Sequence, residues 1–210
     1  YVETSGNPAG EPVVVLHGGP GSGCSPRLRE LYDPERHFLV AFDQRGAGRS
    51  EPSGETRANT TAHLVADLER LRGYLGIARW RVTGGSWGAT LALAYAMAHR
   101  EAVSGLVLRS TFMPGAANVH WFFQDMAEVS PAAWQALAAV VPEGERDDLL
   151  AALQVRLNGV DHAAARTAAL AWARYERALA EPSAPLDDWL PGSAELDRLV
   201  LKYRLQAHYL

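Results

Sequence analysis

Four short apolar runs, each cut off by glycine or by a polar turn, divide the first half of the chain. They are Val13-Val14-Val15-Leu16 before His17-Gly18-Gly19, Phe38-Leu39-Val40-Ala41-Phe42 before Asp43-Gln44-Arg45-Gly46, Trp80-Arg81-Val82-Thr83 before Gly84-Gly85, and Leu106-Val107-Leu108 ahead of Ser110. Strands buried on both faces read as such continuous runs, whereas half-exposed strands alternate. Helix-forming segments lie between them. Thr60-Thr61 caps a predicted helix from about Ala62 to Leu75, with Leu64, Leu68 and Leu71 on one face and Gly76 as its stop. Ala89 to His99 is rich in alanine and leucine, both strong helix formers. Strand, turn and helix in this repetition predict a parallel α/β sheet covered on both faces. From about Asn118 to Leu210 no buried strand is legible. Alanine, leucine and tryptophan recur there at helical spacing, which predicts one helix each over 131–141, 145–157, 162–180 and 193–206, broken by Pro142, Gly159, Pro182 and Pro185. The expected division is an α/β core over 1–112 and a helical part over 113–210.

Composition narrows the function classes. Lys and Arg total 20 against 24 Asp and Glu, a formal net charge of −4. A phosphate-backbone binder normally carries a basic excess, so nucleic acid is not an expected partner. No apolar run approaches the ~20 residues of a membrane span. The single cysteine, Cys24, excludes an internal disulfide framework and fits the cytoplasm. The chain opens on Tyr1 with no basic-then-apolar leader, and the numbering is expected to start inside a longer chain.

The residues that carry chemistry sit at the strand ends. Gly84-Gly85-Ser86-Trp87-Gly88 matches G-x-S-x-G between a strand and a helix, the setting of a nucleophile elbow. The serine of such a turn has a strained backbone, so its neighbours must lack bulk. The bland alternative is a glycine-rich turn with a solvent-facing serine. His17-Gly18-Gly19-Pro20-Gly21 follows the first of the four runs, where a hydrolase of this architecture places an oxyanion-hole amide. Gly19 is the expected donor, with Trp87, the residue after the serine, as its partner. A phosphate loop would need a following lysine, and a dinucleotide fingerprint a glycine or alanine where Cys24 stands. No metal-ligand spacing and no cofactor motif is present. His17 reads better as a buried histidine bonded to backbone than as a base, Asp43 and Arg45 as loop braces, and Cys24 as a small packed residue.

Taken together these residues resemble the proline iminopeptidases (prolyl aminopeptidases) of the α/β-hydrolase superfamily. The likeness rests on Gly18-Gly19-Pro20-Gly21, on Asp43 to Ser50 (DQRGAGRS), on Asn59-Thr60-Thr61, on Gly84 to Gly88, and on Thr90 to Tyr95. Phe122 to Asp125, Trp172 with Tyr175-Glu176, and His208-Tyr209 match in the helical half. The resemblance implies an α/β-hydrolase sheet with an inserted all-helical cap. It implies a serine exopeptidase, without cofactor or metal, acting on short peptides with an N-terminal proline. Ser86 would attack the proline carbonyl and the Gly19 and Trp87 amides would hold the oxyanion. Glu176 would bind the substrate's cationic α-amino group, although a solvated helix charge is the plain alternative. Two departures stand out. Tyr175 occupies a position where tryptophan is common, and Gln206 stands where a second glutamate is expected. Glutamine still accepts a hydrogen bond from an amine but gives up the ion pair.

In this fold the triad runs serine, acid, histidine. After Ser86 the histidines are His99, His120, His162 and His208, and none follows a carboxylate at the end of a later strand. The catalytic Asp and His are therefore expected outside these residues, with about three further strand–helix units, ~90 residues, beyond Leu210. Residues 1–210 alone are expected to be inactive and poorly folded. Two other classes remain open: a related hydrolase of esters, amides or carbon–carbon bonds, and a non-catalytic homologue on the same scaffold. Oligomeric state is not legible.

Overall fold

The structure is a computed structural model, described here for residues 1–183, 185 and 189–210. It divides into two compact units, Tyr1–Met113 and Pro114–Leu210. In the first, strands β1 (Val2–Gly6), β2 (Glu11–Leu16), β3 (His37–Phe42), β4 (Trp80–Gly85) and β5 (Val103–Arg109) form a five-stranded sheet in the order β1-β3-β2-β4-β5. The four predicted runs are β2 to β5, and they pair in parallel, with Val13↔Leu39 and Val14↔Val82 as registers. Val13 and Val14 are both wholly buried although they face opposite sides, which is why the run is unbroken. On one side Val13, Val15 and Leu39 pack with Leu28 and Tyr32, from and just after a 3-10 segment at Pro26–Leu31. On the other, the Trp80 ring meets Tyr95 of helix α2 (Trp87–Ala98) at 6.1 Å.

The sheet is mixed rather than wholly parallel. β1 pairs antiparallel with β3, from Val2↔Phe42 to Gly6↔Phe38. Its sequence, Val-Glu-Thr-Ser-Gly, carries no apolar run because an edge strand needs only one face covered. Helix α1 (Thr61–Tyr74) is capped by the Thr60 hydroxyl, which accepts from the His63 amide, and the chain leaves it through Gly76 at φ +66°.

The second unit is all helix and loop among its described residues: α3 (Ala116–His120), α4 (Met126–Val129), α5 (Pro131–Ala138), α6 (Leu149–Asn158), α7 (His162–Ala180) and α8 (Ser193–Tyr209). The stretch 162–180 is a single helix as expected. The one expected over 145–157 begins instead as a 3-10 turn, Glu143–Asp148, with Asp148 then capping α6. A π-helical turn, Trp121–Asp125, joins α3 to α4. The Phe122 carbonyl accepts from the Tyr175 hydroxyl at 2.6 Å and the Phe123 carbonyl from the Trp134 indole at 2.8 Å. Tyr175 thus uses a hydroxyl that tryptophan lacks. The core centres on Trp172, which stacks on Tyr203 at 5.0 Å and meets Phe123 edge-on at 5.0 Å. No helix among the described residues is long and apolar enough to cross a membrane.

Candidate active site

Ser86 sits between β4 and α2 with φ 53° and ψ −125°, a region that a side-chain-bearing residue enters only when its surroundings force it. The surroundings are visible. Its amide donates to the Arg109 carbonyl at the end of β5 at 3.0 Å, and its own carbonyl accepts from the Ala89 amide at 2.9 Å, starting α2. The chain must therefore reverse from strand to helix within one residue. The flanking glycines make that possible. A Cβ on Gly84 would stand 2.7 Å from the Ala89 nitrogen. One on Gly88 would overlap the Leu16 carbonyl oxygen and stand 3.0 Å from the His17 oxygen. The pattern G-x-S-x-G is thus a record of how closely the turn approaches itself and β2. The outcome is an exposed Ser86 side chain at the N-terminal end of α2, where the helix dipole is positive.

The loop after β2 lies against this turn. A Cβ on Gly18 would stand 3.1 Å from the Gly85 oxygen and 3.5 Å from Ser86 Cβ. Gly19 has φ +111°, and a Cβ there would stand 2.8 Å from the Gly21 nitrogen, so only glycine fits. The structure thus brings Ser86, Trp87 and the Gly18-Gly19 loop together. Gln44, which sequence reasoning did not single out, ties them. Its side-chain amide donates to the His17 carbonyl at 2.9 Å, its carbonyl accepts from the Trp87 indole at 2.9 Å, and its backbone amide donates to His17 Nε2 at 3.0 Å. His17 Nδ1 lies 2.9 Å from the Gly18 carbonyl, so it carries the ring's proton. Burial holds the His17 pKa below its ordinary value, against the raising influence of that bond and of Asp43. A neutral imidazole bonded at both nitrogens is a brace, the role expected of it.

Asp43 is 1 % exposed and accepts from the Cys24 amide at 2.6 Å, the Arg49 amide at 2.9 Å and Arg49 Nε at 2.9 Å. Burial alone would raise its pKa. The Arg49 side chain and the two amides outweigh that and hold the carboxyl below its ordinary value. Arg45 braces in the same way, donating to Asp67 at 2.8 Å and to the Ala58 carbonyl at 2.8 Å. Burial and Asp43 push the Cys24 thiol up to about 12, which disfavours the nucleophilic thiolate. Among the described residues no histidine is hydrogen-bonded to Ser86.

Glu176 and Gln206 belong to the second unit. α7 and α8 pack side by side, and the Gln206 amide donates to Glu176 Oε1. Gln206 is 4 % exposed, its NH₂ end faces the carboxylate, and its Oε1 has no hydrogen-bond partner among the described residues. Glu176 Oε2 accepts from the Tyr203 hydroxyl at 2.9 Å and from Lys202 Nζ at 3.3 Å. Burial, with Glu176 beside it, pushes the Tyr203 phenol well above its ordinary value. Glu176, Lys202 and Tyr203 wall an open cavity of about 610 Å³, with Trp189 and Leu199 as apolar walls. Gln206 is not on that wall; it supports Glu176 from the side. Lys202 and Tyr203 escaped sequence reasoning because their partner comes from another helix. The one available signal was that Lys202 and Gln206 stand four residues apart, on one helix face.

The relatives agree with this architecture. Residues 11–181 match the family model described as alpha/beta hydrolase fold. A proline iminopeptidase of Xylella fastidiosa is 52% identical over 179 residues, covering 85% of this chain and 57% of that one. A proline iminopeptidase of Xanthomonas citri is 44% identical over 210 residues, covering 100% of this chain and 67% of that one. Among solved structures, a proline iminopeptidase of Mycobacterium smegmatis superposes with TM-score 0.55 at 23% identity, covering 86% of this chain and 64% of that one, a likeness of fold. The chain spans a little over half the length of the Xylella relative, 57%. On the family model and the match of this whole chain to two thirds of the Xanthomonas relative, the chain belongs to the α/β-hydrolase fold family, and within it to the proline iminopeptidases.

Proposed function

We propose that the protein is a serine exopeptidase that releases N-terminal proline from short peptides through an acyl-enzyme intermediate. The observation that carries the reading is the backbone of Ser86, held at φ 53° at the start of α2 with the Gly18-Gly19 loop against it. In this reading Ser86 Oγ attacks the scissile carbonyl, the amine leaves, and water hydrolyses the ester so formed. The Gly19 and Trp87 amides receive the oxyanion, a contribution of roughly 10²–10³ in rate per donor. We assign the general base and its carboxylate to no residue of this chain. Glu176 is the acceptor for the substrate's imino cation, supported by Gln206 and Tyr203, and the helical unit is the cap. The reading calls for no cofactor or metal, and a cytoplasmic location is proposed with it on the single cysteine.

Hydrolysis of an ester or amide lacking an amine is the rival, favoured by one observation: Glu176 already holds a cation, Lys202. Turnover of a prolyl anilide against a short acyl ester separates the two. The expected result is preference for the anilide, with KM raised about two- to fivefold by Glu176→Gln, since an ion pair at this exposure is lost. Equal KM in wild type and Glu176→Gln would remove the amine-binding role. An organophosphonate that fails to label Ser86 in folded protein would leave the non-catalytic homologue.

A further inference from the structure

The Glu176 carboxylate has room for about four donors. Two of those present are neutral, buried and fixed in place by packing: the Gln206 amide on Oε1 and the Tyr203 hydroxyl on Oε2. The third, Lys202 Nζ, differs in kind. It is charged, its side chain is 24% exposed, and it stands on the cavity wall. Its 3.3 Å contact is long for a charge-assisted bond, which usually closes to about 2.7–2.9 Å. From the same position it has a second partner. The same nitrogen is 3.2 Å from the Tyr203 hydroxyl and 4.4 Å from the centre of the Tyr203 ring, within cation–π range. The ammonium can therefore leave Oε2 without becoming unsolvated or unpartnered.

We propose that Lys202 is a resident cation of the Glu176 site, which an incoming substrate ammonium must displace, and that it thereby sets how strongly the site prefers an N-terminal amine. The proposal rests on the exopeptidase reading above. Lys202 neutralises Glu176, while Gln206 adds a hydrogen bond but no charge. A substrate amine exchanges one ion pair for another and gains only the difference. A single-glutamate site would bind more tightly without the lysine. With it, the site rejects cations that reach Oε2 with poor geometry, a discrimination bought by competition. An ion pair at this exposure is worth about two- to fivefold in an equilibrium.

The test compares Lys202→Met with Lys202→Arg in the full-length protein, with its general base, using a prolyl anilide and a short acyl ester without an amine. Methionine keeps the apolar stem and removes the charge; arginine keeps the charge. The expected result for Lys202→Met is a two- to fivefold fall in the ratio of anilide KM to ester KM, carried by KM rather than kcat. Lys202→Arg should restore the ratio. A merely structural lysine would move the melting temperature and not this ratio. The proposal is overturned if the ratio rises or stays constant in Lys202→Met, or if arginine fails to restore it. A wild-type protein that turns over the ester and not the anilide overturns the exopeptidase reading itself, and the proposal with it.

Discussion

Replacing Gly88 by alanine would drive a methyl group into the end of β2. The new Cβ would overlap the Leu16 carbonyl oxygen and stand 3.0 Å from both the Leu16 carbonyl carbon and the His17 oxygen. Carbon atoms settle at about 3.5–4.0 Å, so the start of α2 and the end of β2 must separate by roughly 0.5–1 Å. Both partners are backbone, so no side-chain rotation absorbs the shift. Overpacking of this kind costs about 3 kcal/mol. At ~2–4 °C per kcal/mol for a chain of this size, the melting temperature should fall by roughly 6–12 °C. The same displacement moves Ser86 away from the Gly18-Gly19 loop, and a misplacement near 1 Å can cost about 10² in rate. Thermal unfolding read alongside phosphonate labelling of Ser86 measures both. Gly73→Ala is the internal control. It lies in α1 with nothing within 4 Å of its prospective Cβ, so the identical substitution should gain about 0.5–1 kcal/mol through helix propensity. Wild-type melting and labelling in Gly88→Ala, or equal damage from Gly73→Ala, would refute the steric account of the motif.

Two further outcomes follow from the loop braces. Asp43→Asn should lower stability at neutral pH by about 2–3 kcal/mol, a figure kept modest because Arg49 is 44% exposed. The folded pKa of Asp43 is depressed, so its contribution is complete above the ordinary carboxylate pKa and is lost as pH falls through the folded value. Urea midpoints of wild type and Asp43→Asn should therefore differ at pH 7 and converge in acid; a gap that persists unchanged in acid would contradict this. Cys24, with its thiol near 12, should react with iodoacetamide at pH 8 roughly a thousandfold more slowly in native than in denatured protein. Comparable rates, read by mass shift, would show that the thiol is not held in this way.

Much of the core was legible because its signals are local. A run such as Val13 to Leu16 announces burial on both faces, Thr60 and Gly76 mark the two ends of α1, and Gly84 answers a steric requirement set by Gly88 and Ala89, within five residues, whereas Gly88 answers to Leu16 and His17 of β2 and its loop. β1 was not legible: Val-Glu-Thr-Ser-Gly is held by pairing with β3, some 35 residues away, and exposes one face. The π turn at Trp121–Asp125 was hidden for a similar reason, since its carbonyls are satisfied by Tyr175 and Trp134 from other helices.

The candidate site divides along the same line. The sequence by itself determined the strand–turn–helix around Ser86 and the glycine loop after β2, because apolar runs, helix formers and glycines in that order are a local pattern, even though the close approaches of Gly18 to Gly85 and of Gly88 to Leu16 are made only in the fold. Only the tertiary structure decided that Gln44 joins His17 to Trp87, and that Glu176 meets Lys202, Tyr203 and Gln206 from a second helix. Such contacts are set by how helices and strands pack. A side chain's charge and reach are written in its residue type, but its partner is chosen only when the chain has folded.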